Sequence, residues 1–144
     1  MIDPLIALPG YVLNRAAAAN LANLNQQLSK LGLRHSDASL LMLVASNAGL
    51  TQSDAGKMLD IQRANMVPLV SRLMKRDLIL KEPVDGRSHG LFLTRKGKAF
   101  HKEAVAIIND LEARMLESVS EDLRPHLMPI LGALWDFNMK KPAG

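Results

Sequence analysis

The chain of 144 residues contains no cysteine, which excludes a disulfide framework, a thiol redox switch and a thiolate-ligated metal. A reducing, cytoplasmic setting is the expected location. Aromatic side chains make up only 3% of the sequence. Tyr11, Phe92, Phe100, Trp135 and Phe137 form no cluster on which successive unpaired bases could stack, which argues against single strands and RNA as partners. The opening MIDPLIALPG has no basic segment before its apolar residues, and later apolar stretches break well short of a membrane span. A soluble, unexported protein with no membrane partner is expected. His35, His89, His101 and His126 stand apart with no metal-ligand spacing, so neither a metal nor a cofactor is expected.

What is present is apolar and basic. Hydrophobic residues make up 48% of the chain, enough for one domain with a real core. The net charge of +4 is unevenly placed: residues 51–98 hold ten Lys and Arg against five acids, while residues 99–144 are net acidic. A basic excess confined to one segment is what a phosphate-contacting element shows, although a solvated surface has the same look.

Beyond Pro9-Gly10, Leu13, Ala17, Leu21, Leu24, Leu28 and Leu31 recur at steps of three and four, one stripe of a long helix ended by Gly32. Ser36 is the expected cap of a second, largely buried helix. Thr51 caps a short third helix to Leu59, with Asp54 favourably placed in its first turn. After a turn at Asp60-Ile61, a fourth helix runs from about Gln62 to Arg76 with Met66, Leu69, Val70 and Leu73 inward. The period then changes: ILKEPV, the turn-prone DGRSH and GLFLT predict a two-stranded hairpin. Thr94 caps a fifth helix to about Ser118, and Ser120 opens a sixth to about Met139.

A short helix, a tight turn and a second helix with small or polar residues outward is how a chain presents an element to the major groove, and the hairpin adds a wing. Residues 33–97 resemble the MarR family of transcriptional regulators. The likeness is carried by LTQSDAGKMLDIQRANMVPLVSRLMKRDLI and by DGRSHGLFLTRKG, an Asp-x-Arg tip followed by a Leu-Thr strand end and a glycine three residues on. The resemblance implies a mainly α fold with a small β-hairpin wing. Residues 1–144 then form a single domain, with the winged helix-turn-helix at 33–97 and dimerisation helices at 1–32 and 98–144. It further implies a homodimeric, ligand-responsive repressor on a pseudo-palindromic double-stranded DNA operator, with a small aromatic or phenolic effector held between the dimer helices and the DNA-binding part.

Within that frame Gln62, Arg63 and Asn65 are expected at base edges, and Ser71, Arg72 and Lys75 further along the recognition helix. Thr51 and Gln52 open the preceding helix, and Arg87 and Ser88 sit at the wing tip. Asp85 is expected to stabilise the wing by pairing with Arg87 or Arg72, because a carboxylate facing phosphate would be repelled. Arg15 and Arg34 are candidates for an anionic effector. Asp60 and Asp77 stand where the family commonly has glycine, and aspartate tolerates the left-handed conformation better than most residues. Pro68 lies inside the recognition helix, so either the helix kinks or its regular part begins near Asn65.

The alternatives are a winged helix used as a protein-interaction module and, remotely, a small hydrolase. Gly86-Arg87-Ser88-His89-Gly90 matches G-x-S-x-G, with Asp110 and His126 following in order. A nucleophile elbow needs a strand before the serine and a helix after it, and here strand-like GLFLT follows. No catalytic residue is expected.

Overall fold

The computed structural model describes residues 1–140. Among them are six α-helices and three short strands: α1 (Pro9–Leu28), α2 (His35–Ser46), β1 (Leu50–Thr51), α3 (Gln52–Leu59), α4 (Arg63–Lys75), β2 (Ile79–Pro83), β3 (His89–Leu93), α5 (Arg95–Glu117) and α6 (Arg124–Met139). The chain divides into two compact units, Met1–Ile108 and Asn109–Gly144. Of the segment 98–144 expected to dimerise, residues 141–144 lie outside the described residues. The first unit is wider than the expected winged segment 33–97, because α1 and the first half of α5 contribute to its core.

Pro9 starts α1 at a position where its missing N–H costs nothing. The helix gives way to a short 3-10 turn, and Gly32 closes that turn in the left-handed region at φ 64°. Only the C-terminal part of the apolar stripe packs inward: Leu28 is fully buried and Leu24 and Leu31 are partly so, whereas Leu21 stays exposed. The cap of α2 differs from expectation. Arg34 is the capping position, and Asp37 in the first turn accepts the Arg34 N–H at 2.8 Å, while Ser36 lies inside the helix.

Leu40, Leu41 and Val44 of α2, Met66, Leu69, Val70 and Leu73 of α4, and Leu78, Ile79 and Leu91 around the sheet form one buried cluster with Leu28 and Ala104. Each such side chain contributes roughly 1.5–3 kcal/mol when fully buried. The sheet has three strands rather than two, in the order β1-β3-β2 and antiparallel throughout. β1 is two residues long, too short to show alternation in the sequence. It pairs Leu50 with Leu91 and Thr51 with Gly90. Gly90 is required there, since a Cβ would come within 2.5 Å of the Gly49 carbonyl oxygen.

The start of α5 explains the Leu-Thr-x-x-Gly pattern. Thr94 accepts the Gly97 N–H at 2.8 Å through its hydroxyl and donates that hydroxyl to the Asp77 carbonyl at 2.6 Å. A Cβ on Gly97 would overlap the Leu78 carbonyl, so helix and strand approach at van der Waals contact of backbone. In the second unit, Arg124 ties the entry of α6 to the end of α5 through the carbonyls of Val119 (2.8 Å) and Glu117 (3.3 Å). The helix begins at Arg124 rather than Ser120, with Pro125 in its first turn. α6 leaves Met128, Ile130, Leu131, Trp135 and Phe137 exposed.

Candidate nucleic-acid interface

The helix-turn-helix is fixed by local hydrogen bonds. Thr51 caps α3 by accepting the Asp54 N–H at 3.1 Å, and its hydroxyl donates to the Asp54 carboxylate at 2.8 Å. That hydroxyl, together with Lys57 at 3.5 Å, holds the Asp54 carboxyl below its ordinary value of 3.8. Asp60 ends α3 in the left-handed region at φ 53°, and Asp77 does the same after α4 at φ 56°. Both turns therefore survive without glycine.

Gln62 is the capping residue of α4, and the helix runs from Arg63 to Lys75 with Pro68 inside it. The regular part thus starts at Arg63, not Asn65. Pro68 cannot donate to the Ala64 carbonyl, but both residues are exposed, so water can take that acceptor. Arg63, Asn65, Ser71 and Lys75 are exposed on α4. Arg63 and Lys75 have no ion-pair or hydrogen-bond partner among the described residues. Gln52, the first residue of α3, accepts from Lys81 of β2 at 2.8 Å, which joins the helix start to the base of the wing.

Arg72 is placed differently from its neighbours. Its Nε (3.2 Å) and Nη2 (2.5 Å) both donate to one carboxylate oxygen of Asp37, whose side chain is 2% exposed against 38% for the arginine. The pair links α2 to α4 across a sequence separation of 35 residues. Sequence reasoning placed Arg72 on DNA and did not single out Asp37. The cap of α2 was expected at the adjacent Ser36, and nothing local named a distant partner for Asp37. Arg76 was likewise missed. Its guanidinium donates to the carbonyls of Gly32 (2.6 Å) and Leu31 (2.9 Å) and lies 5.3 Å from the centroid of the Phe100 ring. It anchors the C-terminal end of α4 to the loop before α2.

In the wing, Asp85 accepts the backbone N–H groups of Arg87 (2.8 Å) and Ser88 (2.7 Å). These bonds hold its carboxyl below the ordinary 3.8. The Val84 N–H closes the loop on the Ser88 carbonyl at 3.0 Å. The expected pairing of Asp85 with an arginine side chain is corrected: the carboxylate shapes the tip through backbone amides, and Arg72 is already on Asp37. The Arg87 side chain is exposed and has no partner among the described residues. Ser88 precedes β3, so no helix follows it as a nucleophile elbow requires.

Arg34, Ser36, Gln62, Asn65, Pro68 and Arg72 line an open cleft of about 630 Å³ between α2 and α4. Arg15 is exposed on α1 and takes no part in this cleft, so the two arginines proposed for one anion are not brought together there.

The sequence profile of the MarR family matches residues 31–88. A transcriptional repressor, CouR, solved bound to a 23-mer DNA duplex, superposes with a TM-score of 0.84 at 30% identity, covering 93% of this chain and 96% of that one. The chain belongs to the MarR family. It is a transcriptional regulator of that type, mainly α with a β wing, as the motifs at 33–97 implied. CouR bound to p-coumaroyl-CoA superposes with a TM-score of 0.83 at 27% identity, over 93% of this chain and 96% of that one. A protein of Thauera aromatica described as a regulatory protein for the hcr operon is 29% identical over 110 residues. That match takes in 72% of this chain and 64% of the relative, so the chain spans less than two thirds of the relative's length. No helix among the described residues is long and apolar enough to cross a membrane.

Proposed function

We propose that this MarR-family regulator is a homodimeric repressor that binds a pseudo-palindromic site in double-stranded DNA and is released by a small aromatic effector. In this reading α4 enters the major groove and Arg87 reaches the neighbouring minor groove, where narrow A/T-rich stretches concentrate negative potential. The observation that carries it is the set of exposed cations Arg63, Lys75 and Arg87, without partners among the described residues, on a helix and a wing whose shapes are fixed from within by Thr51, Asp60 and Asp85. Thr51, Gln52 and Ser88 then contribute phosphate contacts, and Gln62, Asn65 and Ser71 contacts in the groove.

The likeness to CouR bound to a duplex supports the DNA partner. The likeness to CouR bound to p-coumaroyl-CoA supports an aromatic effector with an anionic handle, for which Arg15 or Arg34 supplies the cation. A second copy accounts for the apolar residues of α6 left exposed, Trp135 and Phe137 among them. The protein acts in the cytoplasm by binding rather than by catalysis. Mapping the genomic sites bound by the full chain tests this: enrichment of a two-fold-related sequence near promoters, lost on adding aromatic acids or their coenzyme A thioesters, supports the reading. Absence of any enriched sequence contradicts it.

A further inference from the structure

Beside the exposed Arg63 and Asn65, one outward stripe of α4 is apolar in its N-terminal half. Met66, Leu69, Val70 and Leu73 are buried, which turns Ala64, Val67, Pro68, Ser71 and Lys75 outward at helical spacing. The first three are apolar, and Val67 is 53% exposed. None of their side chains can donate or accept a hydrogen bond, so none can read the donor and acceptor pattern of a base edge.

One feature of the major groove matches them: the 5-methyl group of thymine, the only apolar group a base pair presents there. We propose that Ala64, Val67 and Pro68 form a thymine-reading ridge, in which Val67 and the Pro68 ring pack against thymine methyls of each half-site. This rests on the DNA-binding reading given above and adds the base that α4 selects.

The surroundings favour DNA over a protein surface as the occupant. Val67 lies in two clefts flanking α4, one shared with Gln52, Lys57, Arg63 and Lys81 and the other with Ser71, Lys75 and Lys81. Pro68 lies in the third, beside Arg34, Gln62, Asn65 and Arg72. A short apolar ridge beside Arg63 and Lys75, which have no partner among the described residues, complements methyl groups flanked by phosphates, whereas an apolar protein patch would leave those two cations desolvated.

The test uses a duplex selected from a random pool by the full-length protein, then resynthesised with deoxyuridine in place of thymidine one position at a time. That exchange removes a methyl group and nothing else. Loss of one buried methyl weakens binding about fourfold. The wild-type protein is expected to lose that much at one or two thymines per half-site, and Val67→Ala to lose the distinction between thymidine and deoxyuridine at one of them. Val67→Thr, which preserves size, checks that any loss is not one of folding, and is expected to keep the salt dependence. Selected sites without thymine at the α4 positions, indifference of the wild type to every deoxyuridine, or full discrimination by Val67→Ala would overturn the proposal. Failure of the wild type to prefer any duplex overturns the DNA-binding reading itself, a result distinct from indifference to the methyl.

Discussion

Removing either member of the Asp37–Arg72 pair destabilises the protein unequally, because the two partners are buried to different degrees. Asp37 is 2% exposed and Arg72 is 38% exposed. Arg72→Met strands a carboxylate with only the Arg34 N–H left to answer it, and an uncompensated buried charge costs about 3–5 kcal/mol. Asp37→Asn keeps an acceptor for Arg34 and frees a guanidinium that can turn to water, so the loss is that of a charge-assisted hydrogen bond, about 1.5–2 kcal/mol. With a urea dependence of about 2 kcal/mol per molar, the unfolding midpoint falls by about 1.5–2.5 M for Arg72→Met and by about 1 M for Asp37→Asn. In the Asp37→Asn background, Arg72→Met adds much less than it costs alone, because no buried charge remains to be stranded. Urea unfolding followed by far-UV circular dichroism at one protein concentration measures all three variants. Equal losses for the two single variants, or strict additivity in the double, would refute the asymmetry argument.

Arg87→Ala is expected to leave the fold intact, weaken operator binding about tenfold and lower the salt slope by roughly one per subunit; unchanged affinity and slope would make Arg87 an ordinary turn residue. Asp85→Ala removes the acceptor of the Arg87 and Ser88 amides, so hydrogen exchange at those two amides should accelerate while the core helices keep their protection. The same bonds give the wing a pH dependence. Asp85 has a folded-state value below 3.8, so its contribution is present above 3.8 and disappears as the pH falls through the lower folded value, which amide shifts of Arg87 and Ser88 will report. Gly97→Ala forces a Cβ into the Leu78 carbonyl and should separate α5 from β2, abolishing cooperative unfolding, whereas Gly86→Ala, with open space around its Cα, should change stability little.

Features governed by a few neighbouring residues were legible in the sequence. The Thr51 cap, the left-handed Asp60 and Asp77, the Thr94 hydroxyl over Gly97 and the inward residues of α4 all follow from local spacing and side-chain chemistry. The cap of α2 was misplaced because Ser36 and Asp37 are adjacent and either type can satisfy an orphan N–H. β1 escaped notice because two residues cannot alternate. Arg72 and Arg76 carried the same sign and sat on the same helix as Lys75, yet one is drawn onto Asp37 and the other onto the Leu31 and Gly32 carbonyls. Those partners lie more than thirty residues away, and only tertiary packing selects them. Composition marked the segment as basic; the fold decided which cations are left for another molecule.

The claim that α4 and the wing form a sequence-reading DNA surface is tested most directly by the affinity of the full chain for its selected duplex and for a scrambled duplex across a salt series. The account predicts that the selected duplex binds at least about a thousandfold more tightly, with log affinity falling linearly in log salt from about 50 to 200 mM. Equal affinity for both duplexes, or affinity indifferent to salt, would contradict it.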